Sequence, residues 1–435
     1  MSMLSERRFS GVVRIGLLSA TILCAIPAAA QTASSPIPTA SASESGPLTL
    51  EGAIRRTLRS SPLPAVPAAR REALEAARQA AGLKPQPSLE LSVENFGPPL
   101  GDLYDQFQVT GTYSQRIERG GKRAARVNAV TRELDLVTAE AIVARLDLIK
   151  TVQQGFVEAQ AAQAAIAVAQ ERLRVASELE REVGRRVASA KDPLFAGTRA
   201  RTGVAEARAD LELAIHARDA ALKRLALLWG GGAPVSGLAE TGDFLALEQP
   251  PASFQPSPAD LAVFEARAAR AEALVDVQRA NATRDPTISG GPRIISTKSV
   301  GLVAGVSMPL GGRQLANARV AEAQAEGRRI AAELSVERYN RERAIALAAE
   351  KVSENRREVE LIRDGVMPNA RKTLEQVRFG YNRGFFSFAD VSAAQTTLTN
   401  ARARMIEAAR GYHEARVELD RLTGRFTNLA REGAQ

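Results

Sequence analysis

From Leu134 to Ala176 a small or apolar residue returns every three or four positions: Leu134, Val137, Ala141, Ala144, Leu148, Val152, Gly155, Ala159, Ala162, Ile166, Ala169, Leu173 and Ala176. The twelve steps span 42 residues, 3.5 per step, which is the period of helices that wind around one another. The pattern predicts one helix from Arg123 to about Ala188, on the order of 100 Å long, far longer than a globular domain needs. An alanine-rich sequence can also thread such a ladder by chance. Aromatic residues make up only 4% of the chain, which suits narrow helical seams better than a thick core. Small residues at most rungs let neighbouring helices approach closely.

The chain repeats its plan. Gly120-Gly121 follows a strand-like run and opens the long helix, and Gly311-Gly312 does the same 191 residues later. The first helical stretch closes on Leu227-Leu228-Trp229-Gly230, and the second on Arg421-Leu422-Thr423-Gly424, an offset of 194. Two landmarks that agree within three residues predict an internal duplication. The predicted layout is a flexible Ser/Ala/Pro/Thr-rich leader at 31–47, a first repeat at 48–229, a Gly/Pro-rich linker at 230–257, a second repeat at 258–424 and a tail at 425–435. Each repeat carries two strands, at about 87–97 and 105–117, and at about 286–296 and 299–310. Apolar and polar residues alternate along them, the sign of a half-buried strand. The run at 287–296 is the weakest, because Pro292 would interrupt a central ladder.

The first thirty residues read as a secretory signal. Arg7, Arg8 and Arg14 precede an apolar stretch from Ile15 to Ile26, and Ala28-Ala29-Ala30 supplies a cleavage site before Gln31. Cys24, the only cysteine, lies within it; removal takes three arginines and one glutamate and lowers the net charge from +9 to +7. No disulfide or cysteine metal site can form, and two histidines, His216 and His413, expected on helix surfaces, make no His-rich metal site. The arginines alternate with glutamates, as in Glu178-Leu179-Glu180-Arg181-Glu182, without interleaved aromatics, so nucleic acid is not an expected partner. Gly120-Gly121-Lys122 lacks the spacing of a phosphate loop, no catalytic set assembles, and neither an enzyme nor a cofactor is expected.

The strands pose a physical problem. Each is about ten residues, the length of a tilted membrane-spanning strand, yet four strands cannot close a barrel, and lipid does not tolerate open edges. A membrane reading requires several chains, each giving four strands. Phe107, Val109, Tyr113, Leu302 and Val306 would then face lipid, and Gln108, Thr110, Thr112 and Ser114 a wet lumen. A small soluble sandwich with one wet face carries the same alternation.

These parts resemble the TolC-type outer membrane factors over essentially all of residues 48–424. The resemblance rests on Leu48-Thr49-Leu50-Glu51-Gly52-Ala53-Ile54, on Val366-Met367-Pro368-Asn369-Ala370 through Phe379-Gly380-Tyr381-Asn382-Arg383-Gly384 to Ala394-Gln395-Thr396-Thr397-Leu398, and on Glu418-Leu419-Asp420-Arg421-Leu422-Thr423-Gly424. Pro64 and Pro67 sit where the family continues its first helix, so a break is expected there. Pro87–Gly97, with Val93-Glu94-Asn95-Phe96, and Gly120-Gly121-Lys122-Arg123 resemble the heavy-metal (cobalt–zinc–cadmium) branch. The resemblance implies a mostly α fold: a homotrimer with twelve strands in one β-barrel in the outer membrane of a Gram-negative bacterium, and a coiled-coil α-barrel tunnel in the periplasm. It further implies docking onto a periplasmic adaptor and an inner-membrane RND pump, and passive conduction of cargo. Multidrug efflux or type I secretion are alternatives in the same family; a periplasmic adaptor or exported coiled-coil scaffold is the alternative of another class, although adaptors carry one helical hairpin and not two repeats.

A duct that leaks would defeat the outer membrane, so the turns at about 184–192 and 380–387 are the expected aperture. By resemblance Tyr381, Gly384 and Asp390 match family aperture positions. Phe386 stands where a gating arginine is found, and Ala393 and Ala196 replace carboxylates. A gate latched by many salt bridges is therefore not expected; Phe385, Phe386 and Phe388 would close it by apolar packing, and Asp390 is either a cation-selecting ring or a solvated helix-terminal residue. Arg185, Arg186, Lys191, Arg378 and Arg383 cluster at the tips as candidates for docking an adaptor.

Overall fold

The computed structural model of the chain describes residues 47–94, 107–231, 235, 237–239, 244–249, 251, 253–295 and 299–432. The signal-like segment, the leader up to residue 46 and the 95–97 end of the first strand lie outside them. Helix α1 (Leu50–Ser60) is capped by Thr49, whose hydroxyl accepts the Gly52 N–H at 3.1 Å. It breaks before Pro64, and α2 (Ala65–Ala81) follows, since proline removes a helical donor and clashes with the preceding turn. Strands β1 (Ser88–Glu94) and β2 (Gln108–Arg116) lead into α3 (Lys122–Ala188) and α4 (Leu194–Leu227). The second half runs α5 (Pro258–Asn281), β3 (Thr287–Ile295), β4 (Ser299–Ser307), α6 (Arg313–Leu361), a π turn (Ile362–Val366), α7 (Met367–Asn382), α8 (Phe388–Thr423) and α9 (Thr427–Glu432).

Helix α3 is unbroken over 67 residues. Its seam residues Val137, Leu148, Val152, Ala159, Ile166 and Ala169 are buried, but so is a second stripe with Leu136, Leu146, Ile149, Phe156 and Val157. Ala144, predicted on the seam, is exposed. The reason is that α3 packs against α4, α5 and α8 at once, so one stripe cannot cover all its contacts. The apolar core is correspondingly a string of separate clusters and not one centre. One lies around Ile54, Leu146, Val152, Phe156 and Leu225, one around Phe244, Val359 and Ile406, and one around Leu179, Val183, Leu374, Tyr381 and Val391. The segment 244–249 forms a strap across α8: Phe244 is buried, and the Tyr412 hydroxyl donates to the Glu248 carbonyl at 2.8 Å. His413, expected on a helix surface, is instead stacked on Phe244 (4.9 Å between centroids), with Nε2 2.9 Å from the Phe244 carbonyl oxygen.

The four strands form one antiparallel sheet in the order β1-β2-β3-β4. Its register puts Val109 beside Val93 and Ile294, Tyr113 beside Leu89, Leu302 beside Pro292, and Val306 beside Ile288. Residues paired across antiparallel strands share a face, so one face is apolar. The other carries Gln108 beside Glu94, Thr110 beside Ser92 and Arg293, Thr112 beside Glu90, and Ser114 beside Ser88 and Ser289. Arg293 Nε donates to the Thr110 hydroxyl at 3.1 Å. Phe107 directly precedes β2 and is partly exposed. Among the described residues no helix packs across either face. The apolar one stays open, with Leu89 81% and Leu302 89% exposed. No second sheet exists among the described residues to make a sandwich. Pro292 does sit in a strand with neighbours on both sides. The β2–β3 pairing lapses opposite Gly291 and Pro292 while keeping its register on either side, so the ladder is interrupted at the proline, as expected, without ending the strand.

The sheet is joined to the helices by paired left-handed glycines, Gly120 and Gly121 (φ 71° and 73°) and Gly311 and Gly312 (φ 91° and 81°). Asp285, in the loop before β3, anchors the first junction. Its carboxylate accepts from Arg116 Nη2 at 2.8 Å, Lys122 Nζ at 2.7 Å and the Arg119 N–H at 3.0 Å. Burial pushes this carboxyl up, but the Lys122, Arg119 and Arg116 hydrogen bonds outweigh it and hold the group below its ordinary value. Gly120 and Gly121 differ in surroundings: a Cβ on Gly120 would lie 2.4 Å from the Thr283 hydroxyl oxygen, whereas one on Gly121 meets nothing. Gly120→Ala should therefore lower the melting temperature clearly more than Gly121→Ala, whose cost is the backbone penalty alone, about 1 kcal/mol. Equal shifts in thermal unfolding would show that the close approach to Thr283 is absent.

Candidate aperture at the hairpin tips

The two helical hairpins, α3–α4 and α7–α8, turn in the same way. After α3, the Ala190 N–H donates to the Val187 carbonyl at 2.9 Å and the Lys191 N–H to the Arg186 carbonyl at 2.8 Å. After α7, Gly384 N–H donates to Tyr381 at 3.0 Å and Phe385 N–H to Gly380 at 2.9 Å. This pair of bonds ends a helix only if the residue between them is left-handed. Gly384 supplies that at φ 85°, but the first hairpin uses Ala190 at φ 57°, where a Cβ costs about 1–2 kcal/mol.

A three-residue tie joins the turns. Arg186, on the last turn of α3, donates from Nε and Nη2 to the two oxygens of Asp192, at 3.0 and 3.1 Å. Its Nη1 reaches across to the Tyr381 carbonyl at 2.9 Å, and its guanidinium lies 4.5 Å from the centre of the Tyr381 ring. The Tyr381 hydroxyl donates to the same Asp192 carboxylate, and Tyr381 is 1% exposed. The Arg186 hydrogen bonds, against opposing burial, hold the Asp192 carboxyl below its usual range, with Tyr381 adding to the effect. Burial, then Asp192, pushes the Tyr381 hydroxyl well up. The tie thus stays ionised at one carboxylate and neutral at one phenol across the physiological range.

The remaining tip residues have other partners. Asp390 completes a capping box: its carboxylate accepts from the Ser387 N–H at 2.8 Å and hydroxyl at 2.7 Å, while the Asp390 N–H donates to the Ser387 hydroxyl oxygen at 3.3 Å. The Ser387 hydroxyl and N–H together hold this exposed carboxyl below its usual range. Phe386 lays its ring over Gly380, where a Cβ would come within 2.3 Å of Cδ2. Phe385 is exposed, and Phe388 packs on the core cluster beneath. Three of the five basic residues taken together in the sequence have partners in the structure. Arg186 is spent in the tie, Arg378 lies 3.4 Å from Glu178 and 3.9 Å from Glu182 on α3, and Arg383 stacks 4.0 Å over the Phe379 ring. Arg185 and Lys191 are exposed. Sequence reasoning singled out Tyr381 but missed Asp192, whose only local signal was its place between a helix ending in arginine and Pro193 at the start of the next. Among the described residues no group of histidine, cysteine and carboxylate side chains is placed to hold a metal ion.

Three outcomes follow from this geometry. Asp192→Ala leaves a half-buried guanidinium and a buried phenol without their acceptor, which should cost about 2 kcal/mol; amide exchange at 186–192 and 381–387 should speed up while exchange in α5 does not. Because the Asp192 value is depressed on folding, its contribution is full above the unfolded value of about 3.9 and is lost as pH falls through the lower folded value. Tip exchange corrected for intrinsic rates should therefore be flat from neutral pH down to about 4 and rise below it. Ala190→Gly should stabilise by up to about 1 kcal/mol, and Gly384→Ala should destabilise by about as much, both read from the unfolding midpoint in detergent.

The sequence pattern of the outer membrane efflux protein family matches residues 53–231. The cobalt-zinc-cadmium resistance protein CzcC of Cupriavidus metallidurans is 29% identical over 407 residues, 92% of this chain and 95% of that protein. The nickel and cobalt resistance protein CnrC of the same organism is 29% identical over 286 residues, 63% and 67% of the two chains. Among solved structures, CusC superposes with a TM-score of 0.70 at 16% identity, covering 85% of this chain and 91% of its own. The outer membrane protein VceC of Vibrio cholerae superposes with 0.64 at 19% identity, covering 86% and 96%. The chain is thus similar to outer membrane efflux proteins, in sequence over most of its length and in fold.

Proposed function

We propose that three copies of this chain form a passive duct through the outer membrane, and that it carries divalent heavy-metal cations outward as part of a tripartite efflux assembly. The observation that carries the duct is the sheet: four strands and, among the described residues, one uncovered apolar face, one polar face and two unpaired edges. In water that apolar face forfeits about 25 cal/mol for each Å² left exposed, and in lipid the edge groups would each cost several kcal/mol unsatisfied. Pairing β4 of one copy with β1 of the next inside a membrane removes both penalties and gives twelve strands in three copies, with Val109, Tyr113, Leu302 and Val306 towards lipid and Gln108, Thr110, Thr112 and Ser114 towards the lumen. No helix among the described residues is long and apolar enough to cross a membrane.

The two hairpins extend the duct away from the sheet, and their tied tips are its narrow end, which a periplasmic adaptor meets and opens. The tie between Arg186, Asp192 and Tyr381 keeps the hairpins together at rest. The duct itself supplies no energy; an inner-membrane RND pump drives the cargo. The metal reading is supported by the likeness to CzcC and CnrC across most of the chain, and a passive duct needs no metal ligands of its own.

A clean deletion strain tests the cargo. Hypersensitivity confined to zinc, cobalt, cadmium or nickel is the expected phenotype. Sensitivity to dyes and antibiotics with normal metal tolerance would replace the metal cargo with drugs and leave the duct standing.

A further inference from the structure

Where the strands hand over to the helices, charge is strongly lopsided. Around the β2–α3 junction lie Lys84, Arg116, Arg119, Lys122, Arg123 and Arg126, and the carboxylates facing them are Asp285 and Glu118. Both are already engaged. Asp285 is buried and holds Arg116, Lys122 and the Arg119 N–H, while Glu118 forms an ion pair with Arg126. Lys84, Arg119 and Arg123 remain exposed. A cavity of about 520 Å³ opens at this point, with Lys84, Arg116, Lys122 and Arg123 in its walls.

The second junction repeats the imbalance. Arg284 and Arg313 are exposed there, with Arg284 Nη2 3.4 Å from the Gly311 carbonyl oxygen, and no acidic residue occurs from 308 to 321. At the same level the apolar face of the sheet runs on into Leu83, Ile117, Met308 and Leu310, all exposed, with Leu310 at 83%. An apolar band that ends in a ring of cations has the layering of a membrane leaflet, in which acyl chains end in phosphates.

We propose that this basic collar binds the phosphate head groups of anionic phospholipid in the leaflet on the side of the helices. The inference rests on reading the sheet as part of a membrane barrel. Guanidinium groups donate in a fork that suits phosphate, and basic residues near an anionic surface are attracted to it. The collar then fixes the depth of the barrel: lipid phosphates at the glycine pairs hold the apolar band at the hydrocarbon and leave the helices in water.

The test uses the full chain, purified in mild detergent and equilibrated with mixed micelles of phosphatidylglycerol and phosphatidylcholine in equal amounts. Retained lipid is counted by mass spectrometry, and the mass of the assembly is measured on the same samples. Phosphatidylglycerol should be retained about ten-fold over phosphatidylcholine at about 0.05 M salt, and the preference should shrink to about two-fold at about 0.5 M. The variant K84Q/R119Q/R123Q/R284Q/R313Q spares Arg116 and Lys122, which hold Asp285, and should keep its assembly mass while losing the preference. Equal retention by the unaltered chain overturns the proposal. So does a preference that survives both salt and substitution. An unaltered chain that measures as a single copy overturns the barrel reading, and the collar with it.

Discussion

The structure depends on a sheet that cannot satisfy itself. Among the described residues, strands β1 to β4 pair only with one another, and no element packs across either face. Both outer edges therefore carry free backbone donors and acceptors, groups that folded proteins rarely leave unpaired. A helix or a second sheet laid over Leu89, Leu91, Val300, Leu302 and Val306 would make an ordinary soluble domain, and the described chain offers neither. The solution proposed is repetition of the chain around an axis, which would pair the edges and turn the apolar face to lipid.

The helical part follows a related logic. Because α3 must serve several neighbours along its whole length, the core is drawn out into clusters, each held by a local device. At one end the Gly-Gly turns and Asp285 bind strand to helix. In the middle the strap through Phe244 and Glu248 crosses α8, with His413 filling the space beneath it. At the other end Arg186, Asp192 and Tyr381 link the two hairpins. The tip is also where the fold accepts strain, since Ala190 holds a left-handed conformation that its counterpart Gly384 adopts freely. Stored strain next to a polar tie is what an end built to open would show.

Much of this was legible in the sequence because the signals were periodic or conformational. The 3.5 spacing through Leu148, Val152 and Ala159 announced α3, the period-two alternation around Val109 and Leu302 announced the strands, and the glycine pairs marked turns that other residues resist. What escaped were pairings between distant positions. Nothing local joins Asp285 to Lys122, or Asp192 to Tyr381, and charge alone made Arg186 and Arg378 look like free surface cations. His413 was read as a surface residue because nothing nearby in the chain reveals the strap. Pro292 argued for an interrupted central ladder, and the β2–β3 pairing does lapse there, yet the strand keeps its register on either side. The alternation of the strands, equally compatible with a sandwich, needed the bare faces of the sheet to tell the two apart.

The central claim is that β4 of one copy pairs with β1 of the next. Cys24, the only natural cysteine, lies in the signal-like segment, so cysteines placed in the two edge strands can be cross-linked without interference. A chain carrying Ser92→Cys and Val303→Cys, both on the polar face by register, should give covalent species up to three chains and no larger when treated in membranes with a short bifunctional thiol reagent. Chains that stay monomeric, while the same reagent links a control pair of neighbouring positions within β2 and β3, would contradict the shared barrel.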